Sequence, residues 1–242
     1  MSKPFLILQL RPETEASDDE FAAILRKGGL KPQQVHRIRL DQQSLPEGLR
    51  LDDYAGVIVG GGPGCVSDAP EAKTPVEAQI EAAVLSLMPE ITTRDFPFMG
   101  CCYGIGILGK HLDGDVSKRA YSEPVGTSDC TVVGSDPLLK GVPEAFTAFV
   151  GHKEALQDLP KGCTHLVASQ ACPYQMIRHG QNVYATQFHP EADGSGFETR
   201  INIYKHRGYF PPDAAEDLIA MCRAADVHAP EVILRNFVAR YG

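Results

Sequence analysis

Short apolar runs alternate with amphipathic stretches through the first half of the chain. Four of these runs are predicted to be β-strands, at 4–10, 35–40, 55–59 and 96–99. The third run is continuous and rich in β-branched residues, which is typical of strands buried in a parallel sheet. Three helices are predicted between and after the strands, at 18–27, at 74–88 and from Gly104 to about His111. Ser17 is the predicted N-cap of the first helix, and Gly28-Gly29 is its predicted end.

The alternation of strands and helices favours an α/β fold, with a mostly parallel central sheet and helices on both faces. The second half contains shorter β-like runs, at 130–133, 145–150, 165–169, 175–177 and 183–188. Two further helices are predicted at 213–224 and 231–241. Because the chain has no internal repeat and no clear linker, residues 1–242 are interpreted as a single domain.

Composition narrows the function classes without identifying one. The chain has 242 residues and a formal net charge of −8, so nucleic-acid binding through bulk electrostatics is not expected. No apolar run approaches the ~20 residues of a membrane-spanning helix, and no signal sequence is evident, so a cytoplasmic location is expected. The seven cysteines are odd in number and form no CxxC pair, which argues against a disulfide framework or a zinc site. Neither a metal nor a cofactor is expected.

The first chemical motif is Gly100-Cys101-Cys102-Tyr103-Gly104, between a predicted strand and a predicted helix. A nucleophile at a sharp strand-to-helix turn needs small residues two positions away on each side, and only Cys102 has glycines there. The helix N-terminus is also expected to favour the Cys102 thiolate. The alternative is a buried structural cysteine in a glycine-rich turn.

The second motif, Gln187-Phe188-His189-Pro190-Glu191, follows the run at 183–188. A catalytic cysteine needs a base, and the base needs a group that fixes its tautomer. On an extended segment His189 and Glu191 would lie on the same side, since side chains alternate with period two. The alternative is a surface His-Pro turn. In a parallel sheet both motifs would lie at the carboxyl ends of strands, where open α/β sheets place their sites.

The third motif is the glycine-rich turn 60–64, directly after the strand at 55–59. Its backbone N–H groups could face a developing oxyanion. A dinucleotide-binding loop is the competing interpretation, but the pattern does not fit GxGxxG and no helix follows at once.

Together and in this order, the three motifs resemble those of the class I glutamine amidotransferases, and within that family the glutaminase domains of GMP synthases. The resemblance implies a flavodoxin-like three-layer α/β/α fold and hydrolysis of the glutamine side-chain amide through a γ-glutamyl thioester. It implies Cys102 as nucleophile, His189 as base and Glu191 as the group that orients the histidine. By analogy, the oxyanion would be held by the backbone amides of Gly62 and Tyr103.

The chain departs from the family pattern at two positions that concern the substrate. Gly106 stands where the family usually has a glutamine that helps to hold the substrate, so another side chain supplies this contact or the substrate is not free glutamine. His152, in Val150-Gly151-His152-Lys153-Glu154, matches a stretch that lines the family's site. Both are candidate substrate-binding residues, although a structural role for His152 is the favoured interpretation.

The region 192–230 separates the motif at 187–191 from the final helix and is interpreted as an insertion. Its first part, 199–210, is basic and aromatic in an otherwise acidic chain, so we expect a lid or a docking surface for a partner. An extra helical layer that only packs is the alternative.

The expected function is cysteine-dependent hydrolysis of glutamine, with ammonia passing to a separate synthetase subunit if the protein is an amidotransferase. Hydrolysis of another γ-glutamyl amide is the alternative that Gly106 keeps open. A non-catalytic redox-sensing or binding protein on the same fold is the alternative from another class, since Cys101 adjoins Cys102. A sensor, however, would need neither His189 nor Glu191.

Overall fold

The computed structural model describes residues 3–207 and 209–242. Met1, Ser2 and Gly208, which the predicted single domain includes, lie outside the described residues, and Gly208 also falls within the predicted lid segment. The described strands are β1 (Phe5–Gln9), β2 (Val35–Arg39), β3 (Gly56–Val59), β4 (Phe98–Cys101), β5 (Val116–Ser117), β6 (Glu123–Val132), β7 (Ala145–His152), β8 (Ala155–Leu156), β9 (Cys163–Ser169), β10 (Met176–His179) and β11 (Val183–Thr186). The described α-helices are α1 (Thr14–Gly28), α2 (Pro75–Thr93), α3 (Tyr103–His111), α4 (Gly194–Tyr204), α5 (Ala215–Ala224) and α6 (Ala229–Tyr241).

Nine of these strands form one sheet in the order β2-β1-β3-β4-β11-β10-β9-β6-β7. The first five strands in this order pair in parallel. The remaining pairings, from β11 to β7, are antiparallel. The predicted parallel sheet is therefore confirmed for the strands that carry the motifs, and the β-rich second half extends it with antiparallel strands.

Helices cover both faces of the sheet, as predicted. Residues of α2 and α3 pack on one face with alternate residues of β1, such as Leu6 and Leu8. Residues of α1 and α6 pack on the other face, with Phe5 and Ile7 of the same strand. The period-two alternation of a strand thus places apolar side chains in two separate cores, which explains why β1 is apolar at both alternating sets of positions.

Helix ends test the predicted caps. Gly29 ends α1 in a left-handed conformation (φ 69°), as Gly28-Gly29 predicted. The predicted N-cap Ser17 is wrong, because α1 begins at Thr14 and Ser17 lies buried inside it. Thr74 caps α2 and forms a reciprocal hydrogen-bonded capping box with Glu77.

The region 192–230 contains α4, α5 and the start of α6. Its apolar residues form a third small core, in which Phe197 and Ile201 pack with Ala215 and Cys222 and with Phe149 of β7. The sequence pattern did not predict α4, which Asp193 caps by accepting a hydrogen bond from the Gly196 amide. Among the described residues, no helix has the length and apolar character needed to cross a bilayer.

Candidate active site

The three predicted motifs meet at one edge of the sheet. Strands β3, β4 and β11 are neighbours and run in parallel, so their carboxyl ends lie side by side. The glycine-rich turn follows β3, Cys102 follows β4, and His189 lies three residues beyond β11. This is the edge at which open α/β sheets place their sites.

Cys102 occupies a strained turn between β4 and α3. Its backbone has φ 53° and ψ −90°, a conformation that residues other than glycine rarely adopt. The Cys102 amide donates to the carbonyl of Thr186 at 2.7 Å, which ties the turn to β11. A Cβ on Gly100 would lie 2.9 Å from the backbone of Gly104, so these glycines permit the close approach on which the turn depends.

The resting thiol differs from the expectation of a thiolate. Burial raises the pKa of Cys102 to about 12, an effect that the positive charges of Arg11 and Arg200 oppose without reversing. Desolvation of the charged form therefore outweighs the two nearby guanidinium charges. A protonated thiol must lose its proton as it attacks, so the geometry requires a neighbouring base.

His189 and Glu191 form a hydrogen-bonded pair. Nδ1 of His189 lies 2.9 Å from Oε1 of Glu191, and both side chains are buried. The predicted contact is present, but the predicted reason for it is wrong. The segment is a turn, closed by the Ala192 amide donating to the His189 carbonyl at 3.3 Å, and not an extended strand.

Arg200 of α4 is a third member of this arrangement. Its Nη2 donates to Oε1 of Glu191 at 2.9 Å. Burial works to raise the pKa of Glu191, but His189 and Arg200 outweigh it and hold this pKa well below its usual range. Glu191 therefore stays ionised. With Nδ1 of His189 donating to that carboxylate, Nε2 is the nitrogen that can accept a proton.

His189 is held in its neutral form at physiological pH. Burial lowers its pKa, Glu191 works in the opposite direction, and the positive charges of Arg200 and Arg11 add to the lowering. A neutral imidazole can act as a general base, whereas an imidazolium cannot.

The two predicted oxyanion donors lie beside Cys102. Gly62 lines the space in front of the thiol, and Tyr103 is the first residue of α3. Among the described residues, neither the Gly62 amide nor the Tyr103 amide donates a hydrogen bond within the protein. Both amides are therefore free to donate to a ligand.

His152 has both ring nitrogens engaged by the protein. Nδ1 lies 2.9 Å from the Glu154 carbonyl oxygen, and Nε2 lies 2.9 Å from Oε2 of Glu123. This geometry favours the structural role over direct contact with substrate. His152 also clusters with Glu123 and Cys172 at distances suited to a metal ion, but its engaged nitrogens mark this group as a hydrogen-bonded cluster.

Gly106 lies in a tightly packed position. A Cβ there would lie 3.0 Å from Oε1 of Glu154 and 3.1 Å from a methyl group of Val66. The Glu154 carboxylate accepts hydrogen bonds from the amides of Val66 and Ser67 and from the Ser67 hydroxyl. The anchored Glu154 carboxylate is thus the nearest neighbour of any side chain that would replace Gly106.

Two small chambers flank Cys102. The arginine chamber encloses about 40 Å³, and the residues specific to it include Arg11, His189, Phe197, Arg200, Tyr204 and Phe210. The glutamate chamber encloses about 20 Å³, and the residues specific to it include Cys65, Tyr103, His152, Glu154 and Gln187. Gly62, Cys102, Gly151 and Tyr209 line both chambers.

Tyr209, from the predicted lid segment, covers the glycine-rich turn. Its hydroxyl donates to the Pro63 carbonyl at 2.7 Å, and the Lys153 ammonium lies 3.9 Å from the centre of its ring. Tyr209 therefore lies beside the thiol and between the two chambers.

Three further residues were missed by sequence reasoning: Arg11, Glu154 and Arg200. Arg11 lies two residues beyond β1, at the same sheet edge as the motifs, so its position could have identified it. Arg200 belongs to the basic stretch 199–210, but its contact with Glu191 depends on the unpredicted α4. Glu154 follows His152 in a matched motif, yet its partner Val66 is 88 positions away.

The comparisons with known proteins agree with this geometry. A family model described as glutamine amidotransferase class-I matches residues 19–203. The chain is 31% identical over 144 residues to a GMP synthase (glutamine-hydrolyzing) from Lactobacillus delbrueckii subsp. bulgaricus, covering 59% of this chain but only 25% of that protein. It is 27% identical over 199 residues to one of the subunits of a GMP synthase (glutamine-hydrolyzing) from Methanocaldococcus jannaschii, covering 77% of this chain and 97% of that one. Among solved structures, a glutamine amidotransferase from Thermotoga maritima has the same fold, with a TM-score of 0.79, 19% identity and coverage of 100% and 99% of the two chains.

Proposed function

We propose that this chain, which belongs to the class I glutamine amidotransferase family, hydrolyses the side-chain amide of glutamine using Cys102, His189 and Glu191. The observation that carries the proposal is the buried His189–Glu191 pair at the same sheet edge as the strained Cys102 turn. The names of the GMP synthase relatives, which are glutamine-hydrolyzing, support the same substrate.

The mechanism follows from the protonation states. Neutral His189 accepts the Cys102 proton as the sulfur attacks the amide carbon, and the backbone amides of Gly62 and Tyr103 hold the oxyanion. The C–N bond then breaks, and His189 passes the proton to the departing ammonia. Water, activated by His189, cleaves the γ-glutamyl thioester, which releases glutamate and returns the thiol. Glu191 stays ionised throughout and orients the imidazole.

The ammonia would pass to a separate synthetase subunit. The Methanocaldococcus jannaschii relative supports this part of the proposal, because its name is that of a single subunit of a GMP synthase, and the match covers 97% of it. The chain spans about a quarter of the length of the Lactobacillus GMP synthase, so the activity of that whole protein is not assigned. We also propose that residues 1–242 act as one domain, with 192–230 as an insertion that supplies Arg200 and Tyr209.

The test measures ammonia and glutamate released from glutamine by the wild type and by Cys102→Ala. We expect Cys102→Ala to lose at least ~10⁴-fold in kcat, the scale on which removing a nucleophile acts in triad enzymes. Cys101→Ala is the matched control, because Cys101 is also buried and adjacent. Retained activity in Cys102→Ala would show that another group performs the reaction.

Hydrolysis of a different γ-glutamyl amide is the second candidate function. It is favoured by the arginine chamber, which lies on the His189 side of the thiol and is larger than the glutamate chamber. A redox-sensing role gains no support, because burial raises the pKa of the thiols of both Cys101 and Cys102.

A further inference from the structure

The arginine chamber contains two buried guanidinium groups, and the mechanism above uses only one of their N–H donors, the Arg200 Nη2 that bonds Glu191. Arg11 and Arg200 are each 5% exposed. Burying a cation is costly unless hydrogen bonds and opposite charges satisfy it. Glu20 and Glu191 each supply one opposite charge, so the N–H groups that stay unpaired beside the thiol are what calls for an explanation beyond the release of ammonia.

The two guanidinium groups are only partly satisfied by the protein. Nε of Arg11 bonds Glu20 at 2.8 Å and its Nη1 bonds the Tyr204 hydroxyl at 3.3 Å, while its Nη2 has no hydrogen-bond partner among the described residues. Arg200 uses Nη2 for Glu191, and within the described part of the chain its Nε and Nη1 are buried without a partner.

These groups lie on the side of the thiol from which the amine must leave. His189 lines the arginine chamber, whereas the glutamate chamber lacks it among its lining residues. The group that protonates the departing nitrogen must be within its reach, so the amine component lies beside His189. A Cβ on Gly61 would lie 2.6 Å from Cε1 of His189 and 2.7 Å from Nη2 of Arg11, which places the Arg11 donor next to the imidazole.

We propose that the arginine chamber is a leaving-group subsite that binds the carboxylate of an amino acid released from a γ-glutamyl amide. The inference rests on the proposed cysteine mechanism and specifies its substrate class. Guanidinium groups match carboxylates in charge and geometry. The small chamber suits a small amino acid, and glycine is the smallest.

The reaction balances in the same way as glutamine hydrolysis. The bond from Cys102 sulfur to the amide carbon forms, and the bond from that carbon to the amino acid's nitrogen breaks. His189 transfers the thiol proton to this nitrogen, so the amino acid leaves as a free amine with its carboxylate on Arg11 and Arg200. Water then cleaves the thioester to glutamate.

The test compares kcat/KM for γ-glutamylglycine and γ-glutamylglycinamide, which differ only in the terminal carboxylate or carboxamide. We expect the wild type to prefer the carboxylate by about 10- to 100-fold, the range for hydrogen bonds to charged groups. In Arg200→Met this ratio should fall towards one, and Arg200→Lys should retain part of it. Arg223→Met, an exposed arginine paired with Glu198, is the control and should keep the wild-type ratio. Removing the Arg200 contact with Glu191 should slow both substrates equally, so this loss of rate cancels in the ratio.

A γ-glutamyl substrate has a second carboxylate, the α-carboxylate of its glutamyl group, which the arginines could bind instead. A second pair of substrates, glutamine and its α-carboxamide, tests this alternative. If Arg200→Met weakens only the preference for glutamine over the α-carboxamide, the chamber binds the glutamyl α-carboxylate and the inference is wrong. A wild type that hydrolyses glutamine but treats the two glycine substrates alike also overturns it, while the proposed function stands. A wild type inactive on every amide overturns both. If Arg200→Met fails to fold, the wild-type ratio of kcat/KM for γ-glutamylglycine to that for γ-glutamylglycinamide decides the inference by itself.

Discussion

The arginine and glutamate chambers flank the same sulfur but differ in whether the buried acidic and basic groups that line them are already satisfied. In the glutamate chamber, the two ring nitrogens of His152 and both carboxylate oxygens of Glu154 have partners within the protein. In the arginine chamber, Arg11 and Arg200 keep N–H groups without partners among the described residues. Both chambers contain buried charged groups, but among the described residues only the arginine chamber has buried charged donors left for a ligand. The unsatisfied donors, and not the number of buried charges, therefore indicate where a charged ligand can bind.

The chambers also differ in the parts of the chain that build them. Residues beside β4, α3 and β7 form much of the glutamate chamber, so it belongs to the three-layer core. The arginine chamber combines the end of β1 with α4 and the segment after it. Substrate range can thus change through the region 192–230 while the sheet edge that holds Cys102 stays the same.

Gly61→Ala should have the largest effect on activity, because the new side chain would displace the His189 imidazole, which lines the arginine chamber. The new methyl group would lie 2.6 Å from Cε1 of His189, so the ring must move. A displacement of about 1 Å in a reacting group can cost ~100-fold in rate, and we expect a loss of that size in kcat for every amide. Gly64→Ala is the control, since the nearest atom to its Cβ would be in the Tyr103 ring, at 3.3 Å. Equal losses in the two variants would contradict the assigned position of the imidazole.

Arg200→Met should reduce kcat for glutamine by about 10-fold at neutral pH, because Glu191 loses a charged hydrogen-bond donor. It should also change the pH profile in a defined direction. The positive charge of Arg200 lowers the pKa of His189, so its removal raises that pKa. The reaction needs neutral His189, and the acid limb of kcat/KM therefore moves to higher pH. Arg223→Met is the reference variant. If the acid limb of Arg200→Met does not move relative to it, Arg200 does not influence the pKa of His189.

Glu154→Gln should reduce stability and leave the leaving-group preference intact. The amide can accept at one oxygen only, so at least one of the Val66 and Ser67 amides loses its partner. We expect the free energy of unfolding, measured in urea, to fall by about 1–3 kcal/mol. Ser67→Ala removes a single hydrogen bond and should cost about 0.5–1.5 kcal/mol. A changed ratio between γ-glutamylglycine and γ-glutamylglycinamide would mean that the chambers are not separate.

The sequence predicted the parts of the site that depend on local chemistry. Cys102, His189 and the glycine-rich turn each follow an apolar strand, and adjacent parallel strands bring their carboxyl ends together. The contact between His189 and Glu191 was also predicted, although it is made by a turn where an extended segment was expected. The two residues are so close in sequence that either conformation allows them to meet.

What the sequence did not predict depends on contacts between distant segments. Arg11 bonds the Tyr204 hydroxyl across 193 positions, and Arg200 meets Glu191 only because α4 folds back onto the site. The pKa of Cys102 was expected to be low from the helix N-terminus alone. Burial reverses that expectation, and burial is a property of the whole fold.

Tyr209→Phe should have the smallest effect, and it tests the wall that the two chambers share. The variant keeps the ring that lines both chambers and removes only the hydrogen bond to the Pro63 carbonyl. A neutral hydrogen bond contributes about 0.5–1.5 kcal/mol, so we expect kcat/KM to fall by roughly 2- to 10-fold.

Because Tyr209 faces both chambers, that loss should be the same for γ-glutamylglycine and γ-glutamylglycinamide, and for glutamine. Tyr121→Phe, an exposed tyrosine outside both chambers, is the control and should leave all three rates unchanged. A loss confined to γ-glutamylglycine would place the Tyr209 hydroxyl in the leaving-group subsite. The carboxylate would then be recognised by the segment that closes the site as well as by the arginines, and closure would depend on the amine that is bound.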